Sequence, residues 1–204
     1  MKIFESFGII MMRVIDGELS VLLVERKDSF AFLQYNKPRR TYTETEKIDL
    51  LQRMCVQEAK TVRPKDGATF TQYKYREFGF PKGRKLNRWK SNEEKDIDCA
   101  FRELFEETGY TKEDCKIISH NYKYCDGSLG SDKNMYKNKY FLVQLLDPTK
   151  EPVICPDEIS RADFYTKEES LNLIRDYDLQ KRKIIENVFA WYKIYYDSSI
   201  EHVV

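Results

Sequence analysis

Two apolar runs open the chain, residues 6–14 and 19–24, with Asp16-Gly17 between them. Neither run alternates with polar residues. The pattern predicts a hairpin whose strands are covered on both faces. Glu25-Arg26-Lys27-Asp28 ends the second strand in charge, and Ser29-Phe30-Ala31-Phe32-Leu33 reads as a short loop packed back on the sheet. From Tyr35 to Tyr75 the composition changes. Lys37-Pro38-Arg39-Arg40 is basic and breaks structure. Thr43 and Glu46 form a T-x-x-E capping box, and Ile48, Leu51, Met54 and Cys55 carry one apolar stripe to about Lys60. Arg63-Pro64-Lys65-Asp66-Gly67 is a turn. Residues 37–75 are therefore expected to be an inserted helical lobe, too short to bury a good core alone.

Residues 76–80 read as a strand leading to Pro81-Lys82-Gly83. A basic loop follows, and then a helix with Ser91 and Glu94 as a second capping box and Gly109 as its stop. Strands are expected at 115–124 and 139–146, with the polar stretch 126–138 as a loop between them. A further strand is expected at 159–165, and helices at about 167–176 and 179–196. Strands with interspersed helices make an α/β or α+β sandwich.

The helix ending at Gly109 carries the chemistry. Glu103, Glu106 and Glu107 sit at i, i+3 and i+4, so they point the same way. Ile97, Phe101, Leu104, Phe105 and Thr108 are expected on the opposite, core-facing side. Three carboxylates within one turn repel each other unless cations offset them. An all-oxygen donor set selects hard ions such as Mg²⁺ or Mn²⁺.

Composition narrows the alternatives. The chain has 204 residues and a formal net charge of +1, so no global field draws it to nucleic acid or membrane. Local patches must do so, and one is present. Lys82, Arg84, Lys85, Arg88 and Lys90 are five cations in nine residues with no acid among them. Lys181, Arg182 and Lys183 extend the basic track, as do Lys37, Arg39 and Arg40. Residues 1–5 show no secretory signal, and no apolar run approaches membrane-spanning length. The five cysteines, Cys55, Cys99, Cys115, Cys125 and Cys155, are odd in number and never spaced as C-x-x-C. That argues against a disulfide framework or a zinc site and favours a reducing, cytoplasmic compartment. No protein partner and no membrane partner is indicated.

Arg102-Glu103-Leu104-x-Glu106-Glu107-x-Gly109-Tyr110 is similar to the R-E-U-x-E-E-x-G-U half of the Nudix box, where U is bulky and apolar. The family pattern places a glutamate eight residues before the arginine, and Glu94 stands there. It places a glycine six residues earlier still. Arg88 occupies that position, so Gly83 is the equivalent, with five extra residues in the loop. The strings Gly79-Phe80-Pro81-Lys82-Gly83 and Asp96-x-x-Cys99-Ala100-x-Arg102-Glu103 resemble the messenger-RNA decapping branch of the family. The helical insertion after Ser29-Phe30-Ala31-Phe32 resembles the decapping Nudix enzymes of large DNA viruses, which would place the protein in a host cytoplasm.

The resemblance implies a Nudix-type α/β/α sandwich with a mixed sheet, formed by residues 1–36 and 76–204. It implies Mg²⁺- or Mn²⁺-dependent hydrolysis, with Glu103, Glu106 and Glu107 as metal ligands and Arg102 orienting them. Glu94 is either part of that site or only a cap for the helix. Glu158, in the loop before a late strand, is the candidate general base. Lys82, Gly83, Arg84, Lys85, Arg88 and Lys90 are candidate contacts to the RNA, and Trp89, Lys181 and Arg182 further ones. The implied reaction is cleavage of the messenger-RNA cap to 7-methyl-GDP and 5′-monophosphate RNA. Diphosphoinositol polyphosphates or dinucleoside polyphosphates are the alternative substrates, being just as anionic. A catalytically silent RNA-binding module would have no need of clustered carboxylates close to phosphates.

Overall fold

A computed structural model of the chain describes residues 1–38, 41–86, 94–130 and 133–200. Arg39, Arg40, Arg88, Trp89, Lys90 and Ser91 lie outside them. The opening hairpin forms as expected, with β1 (Ile3–Ile15) antiparallel to β2 (Glu18–Arg26). Positive φ at Asp16 and Gly17 turns the chain between them. The sheet runs β3 (Phe78–Gly79), β2, β1, β7 (Met135–Leu145), β5 (Cys115–Ile117). β4 (Lys82–Gly83) pairs with β1, β6 (Tyr124–Leu129) with β7, and β8 (Ile159–Tyr165) with β2. β1 and β7 run parallel over ten register pairs, whereas the other pairings are antiparallel, so the sheet is mixed.

Helices cover both faces, which explains why the first strands are apolar throughout. Phe7, Ile9 and Met11 pack toward α4 (Asp96–Thr108) with Leu104 and Phe141. Ile10 and Met12 belong to the opposite cluster, with Tyr140, Leu142, Ile185 and Val188. That second layer is α5 (Lys167–Leu173) and α6 (Leu179–Ile200). The two-residue alternation along β1 thus divides one strand between two cores.

Four expectations need correction. Residues 30–35 are a helix, α1 (Phe30–Tyr35), not a loop; the Ser29 hydroxyl caps it by accepting from Phe32 N at 3.1 Å. The capping box of Thr43 and Glu46 is present, but the helix it opens stops at Arg53. Met54 and Cys55 are extended, Val56 N donates to Tyr73 O at 2.9 Å, and α3 (Val56–Val62) restarts after the break. A tertiary pairing, invisible in the apolar stripe, splits the expected helix into α2 (Glu44–Arg53) and α3. The stretch 126–138 is largely a β6–β7 hairpin. Its polar side chains pair across the strands: Asn138 and Tyr140 both donate to the Asp126 carboxylate. Finally, α4 begins at Asp96 with Lys95 as its N-cap, so Glu94 precedes the helix instead of capping it.

Residues from α1, α2 and α3, with Met54 between the last two, form a third, smaller cluster of Ala31, Leu50, Leu51, Met54 and Ala59. Glu58, at 2 % exposure, joins this cluster to the sheet domain. Its carboxylate accepts from Ser29 N at 2.7 Å and Cys55 N at 3.1 Å, and lies 3.5 Å from Arg76 Nε. Such a group leaves buried donors unpaired when removed. Glu58→Ala is expected to lower unfolding stability by about 3 kcal/mol, read from urea denaturation. A loss below about 0.5 kcal/mol would show that the junction does not depend on it.

Candidate active site

The site is assembled where α4 meets β4. The register Phe7↔Gly83 and Gly8↔Lys82 lays β4 against the middle of β1. Gly83 is required by close approach. A Cβ there would fall 2.0 to 2.2 Å from the Glu103 carboxylate. Lys82 and Gly83 therefore form the floor on which the helix carboxylates rest. At the other end of α4, Gly109 adopts φ 72° and its N–H donates to Phe105 O, ending the helix as expected.

Arg102 is the hub. Its Nε donates to Glu94 Oε1 at 2.9 Å, its Nη1 to Glu103 Oε1 and Glu106 Oε2 at 2.8 Å each, and its Nη2 to Arg84 O at 2.8 Å and Glu94 Oε2 at 3.2 Å. Leu86 N also donates to Glu94, at 3.0 Å. One guanidinium thus ties the helix to the strand-exit loop. The Arg102 bonds hold the Glu94 carboxyl below its usual range. Glu103 is raised instead, because burial outweighs its bond to Arg102.

The three helix glutamates do not share one environment. Glu107 is buried, Glu103 nearly so, and Glu106 is half exposed. Phe105, expected in the core, is 55 % exposed; the inward face centres on Ala100, Leu104 and Thr108. Burial pushes Glu107 up to about 8, opposed first by Lys82 and then by Arg26, while Glu103 and Glu158 push it further. Lys82 is lowered in turn, first by burial and then by Lys181 and Arg26, with Glu107 and Asp126 opposing. The two groups therefore sit in one desolvated pocket of mixed charge.

Glu158, exposed in the loop before β8, bears electrostatically on both Glu103 and Glu107. Its backbone carbonyl accepts from Lys27 N at 2.8 Å, which fixes the loop to the end of β2. Lys181 reaches the same pocket, pairing with Asp178 and lying against Gly79. Arg182 turns elsewhere. Its guanidinium donates to Leu171 O and to Ile174 O, bracing the α5–α6 turn. Lys85 pairs with Asp96 at 2.8 Å on the α4 side, and Arg84 is exposed. Arg26 and Asp126 were not singled out from the sequence, yet both act on the pocket. Arg26 closes β2 among four consecutive charges that read only as a strand end. Asp126 lay in a presumed loop.

Among the described residues, no three His, Cys, Asp or Glu side chains are gathered as a metal-holding group. Arg102 accounts for this locally, since it occupies carboxylate oxygens of both Glu103 and Glu106. Two observations nonetheless fit a hard divalent cation. Glu107 Oε2 is buried with no hydrogen-bond partner, and the Gly83 cradle holds the Glu103 carboxylate beside it on the same helix. The donors are all oxygen, as Mg²⁺ and Mn²⁺ prefer.

Comparison with known proteins bears on the assignment. The NUDIX domain family matches residues 67–188, more than half of the chain. A protein of Acanthamoeba polyphaga mimivirus, provisionally named as an mRNA-decapping protein, is 30% identical over 134 residues. The match covers 65% of this chain and 34% of that relative, about a third of its length. Among solved structures, the C. elegans Ap4A hydrolase binary complex superposes with a TM-score of 0.58 at 15% identity, covering 92% of this chain and 96% of that one. The NUDIX domain of Shewanella oneidensis NrtR complexed with ADP ribose gives 0.52 at 12% identity, covering 93% and 90%. These two share the fold. Among the described residues no helix is long and apolar enough to cross a membrane. With the R-E-x-x-E-E-x-G helix, its glycine cradle and the mixed sheet between helical layers, the match over residues 67–188 means that this chain belongs to the NUDIX domain family.

Proposed function

We propose that the chain is a divalent-metal-dependent pyrophosphohydrolase that cleaves the cap of messenger RNA, releasing 7-methyl-GDP and 5′-monophosphate RNA. The observation that carries the hydrolytic reading is the desolvated pocket in which the Glu103 and Glu107 carboxylates adjoin Lys82, Arg26 and Lys181. Alternating charges of this kind suit a cation and a polyphosphate held together. Relatedness to the mimivirus protein, and the sequence strings around residues 79–110, support capped RNA as the substrate.

Glu103, Glu106 and Glu107 would hold the ion, Mg²⁺ or Mn²⁺. When bound, such an ion neutralises charge on the non-bridging oxygens of a pyrophosphate and favours in-line attack. The chain's own groups do the rest. Arg102 keeps Glu103 and Glu106 oriented. Lys82, with Arg26 and Lys181 near it, faces the phosphates. Arg84, exposed, and Lys85, beside Asp96, add to the positive charge that would meet the RNA, and Arg88, Trp89 and Lys90 are further candidates from the sequence. Glu158, exposed to solvent in a loop held by Lys27, takes the proton of the attacking water. The lobe of residues 37–75 adds surface that an RNA body, unlike a small polyphosphate, has use for.

Cap-labelled RNA with Mg²⁺ or Mn²⁺ is expected to release labelled 7-methyl-GDP, and chelation of the divalent ion to stop it. Glu107→Gln is expected to lower this release by about 100-fold or more while retaining RNA binding; unchanged turnover would overturn the metal assignment. Glu158→Gln is expected to lower kcat by about 100-fold with KM little changed. Side-by-side turnover of capped RNA, cap dinucleotide and a diphosphoinositol substrate checks the substrate class. Preference for the last would replace the decapping reading.

A further inference from the structure

A cleft of about 230 Å³ opens where the first turn of α4 meets the chain between β5 and β6. Its origin is a mismatch in length. Ile117 pairs with Val143 and Tyr124 with Tyr140, so residues 118–123 stand opposite only Phe141 and Leu142 of β7. The surplus chain loops out. Ile118 N donates to Leu142 O at 3.0 Å and Lys123 N to Tyr140 O at 2.8 Å, which pins the loop at both ends. Within it the Ser119 hydroxyl donates to Asn121 O at 2.8 Å.

The lining is mixed. Phe141, buried, and Ile97, half-buried, supply the apolar part. His120, Asn121 and Tyr122 come from the loop, all exposed, and Lys95 and Asp96 from the start of α4. Cations gather at the margin. Lys139, two residues before Phe141 on β7 and hence on the same face, lies 5.0 Å from the Tyr122 ring and 2.9 Å from Glu5. It is held above its usual range first by that bond to Glu5, and Tyr122 and Asp96 add to the effect. Lys85 lies 2.8 Å from Asp96. With Lys95, these make three amines against two carboxylates. The cleft is also tied to the catalytic hub. Lys85 follows Arg84, whose carbonyl accepts from Arg102, and Asp96 precedes Arg102 by six residues, about 9 Å along the helix.

We propose that this cleft seats a base of the RNA strand close behind the scissile cap, with the adjoining phosphate toward the amines. The proposal rests on the decapping reading above. An aromatic ring and an apolar wall suit a flat base, and the surplus of amines suits a phosphate. Size and chemistry favour the strand over the cap. Pockets that enclose a whole small ligand run upward from about 300 Å³; this one holds a single base and leaves it open to solvent. His120, Asn121 and Asp96 offer donors and acceptors together, so no one base edge is selected. Variable sequence at that position is what an RNA body brings and a cap does not.

The test uses Tyr122→Ala, which removes the ring from an exposed loop position, and Tyr122→Phe, which keeps it. Binding of an uncapped, 5′-monophosphorylated oligoribonucleotide, and of an abasic strand of equal length, is measured by fluorescence anisotropy. The parameters kcat and KM are measured on capped RNA and on free cap dinucleotide. Tyr122→Ala is expected to bind the oligoribonucleotide about 10-fold more weakly. Its KM on capped RNA should rise by a similar factor with kcat kept. Its affinity for the abasic strand and its turnover of cap dinucleotide should match the parent, and Tyr122→Phe should match the parent throughout. Unchanged oligoribonucleotide binding overturns the subsite. An equal loss on the abasic strand does so too, because the loop would then meet phosphate alone. A loss on cap dinucleotide overturns the assignment to the strand. If the parent protein leaves capped RNA intact, the decapping reading fails by itself, and the oligoribonucleotide arm still decides the subsite.

Discussion

The Arg102 guanidinium is the contact on which the site depends. It meets carboxylates from two directions, Glu94 before the helix and Glu103 and Glu106 within it, and it also holds the Arg84 carbonyl. Only a planar group with several fixed donors can serve so many acceptors at once. A lysine would offer one rotating charge and leave part of this set unpaired. The pairs to Glu94 and Glu103 are partly buried and so screened less than surface pairs, whereas the pair to Glu106 is half exposed. Their effect is organisational. The basic stretch begins at Arg84, whose carbonyl is fixed by the same residue that spaces the acidic helix, so these cations and the carboxylates are set relative to each other.

A second constraint lies beneath it, in the placement of Lys82 and Glu107. Glu107 is buried and Lys82 half-buried, each at a cost to its charged form, and each relieves the other. Arg26 and Lys181 add positive charge around them, and Glu158 and Asp126 negative charge. Short strands make this possible. β3 pairs with β2 while β4 pairs with β1, so the residues between and after them leave the regular sheet. A regular pair of long strands would have filled this space with apolar side chains.

The small cluster of α1, α2 and α3 is joined to this arrangement through polar groups rather than by an extension of the main cores. Glu58 accepts from Ser29 N ahead of α1 and from Cys55 N ahead of α3, while Glu25, at the end of β2, accepts from Arg76 N at 3.0 Å and pairs with Arg161 at 3.5 Å. Arg175 spans the same junction, donating to Tyr75 O at 2.7 Å with its guanidinium 3.6 Å from the Tyr73 ring. Buried groups of this sort fix one geometry, because any other leaves charges unpaired. That apolar cluster is small, so its position relies on these contacts.

The elements legible in the sequence were those whose signals are local. Apolar runs around Asp16-Gly17 gave the opening hairpin, Thr43 with Glu46 gave a helix start, and Gly109 gave a helix stop, each because a side chain or a backbone angle acts within a few residues. The order of Arg102, Glu103, Glu106 and Glu107 carried the family, since helical spacing alone brings those groups together. The break at Met54-Cys55, the β6–β7 hairpin and the exposure of Phe105 were decided by partners distant in the chain. So were Arg26 and Asp126, which act on the Lys82–Glu107 pocket from strands distant in the chain. Sequence by itself therefore determined which groups one helix brings together and what chemistry they suit. Tertiary structure decided which carboxylate is buried, which cations oppose it and where the cleft beside α4 opens. Burial and cross-strand register depend on residues too far apart in the chain for any local pattern to relate them.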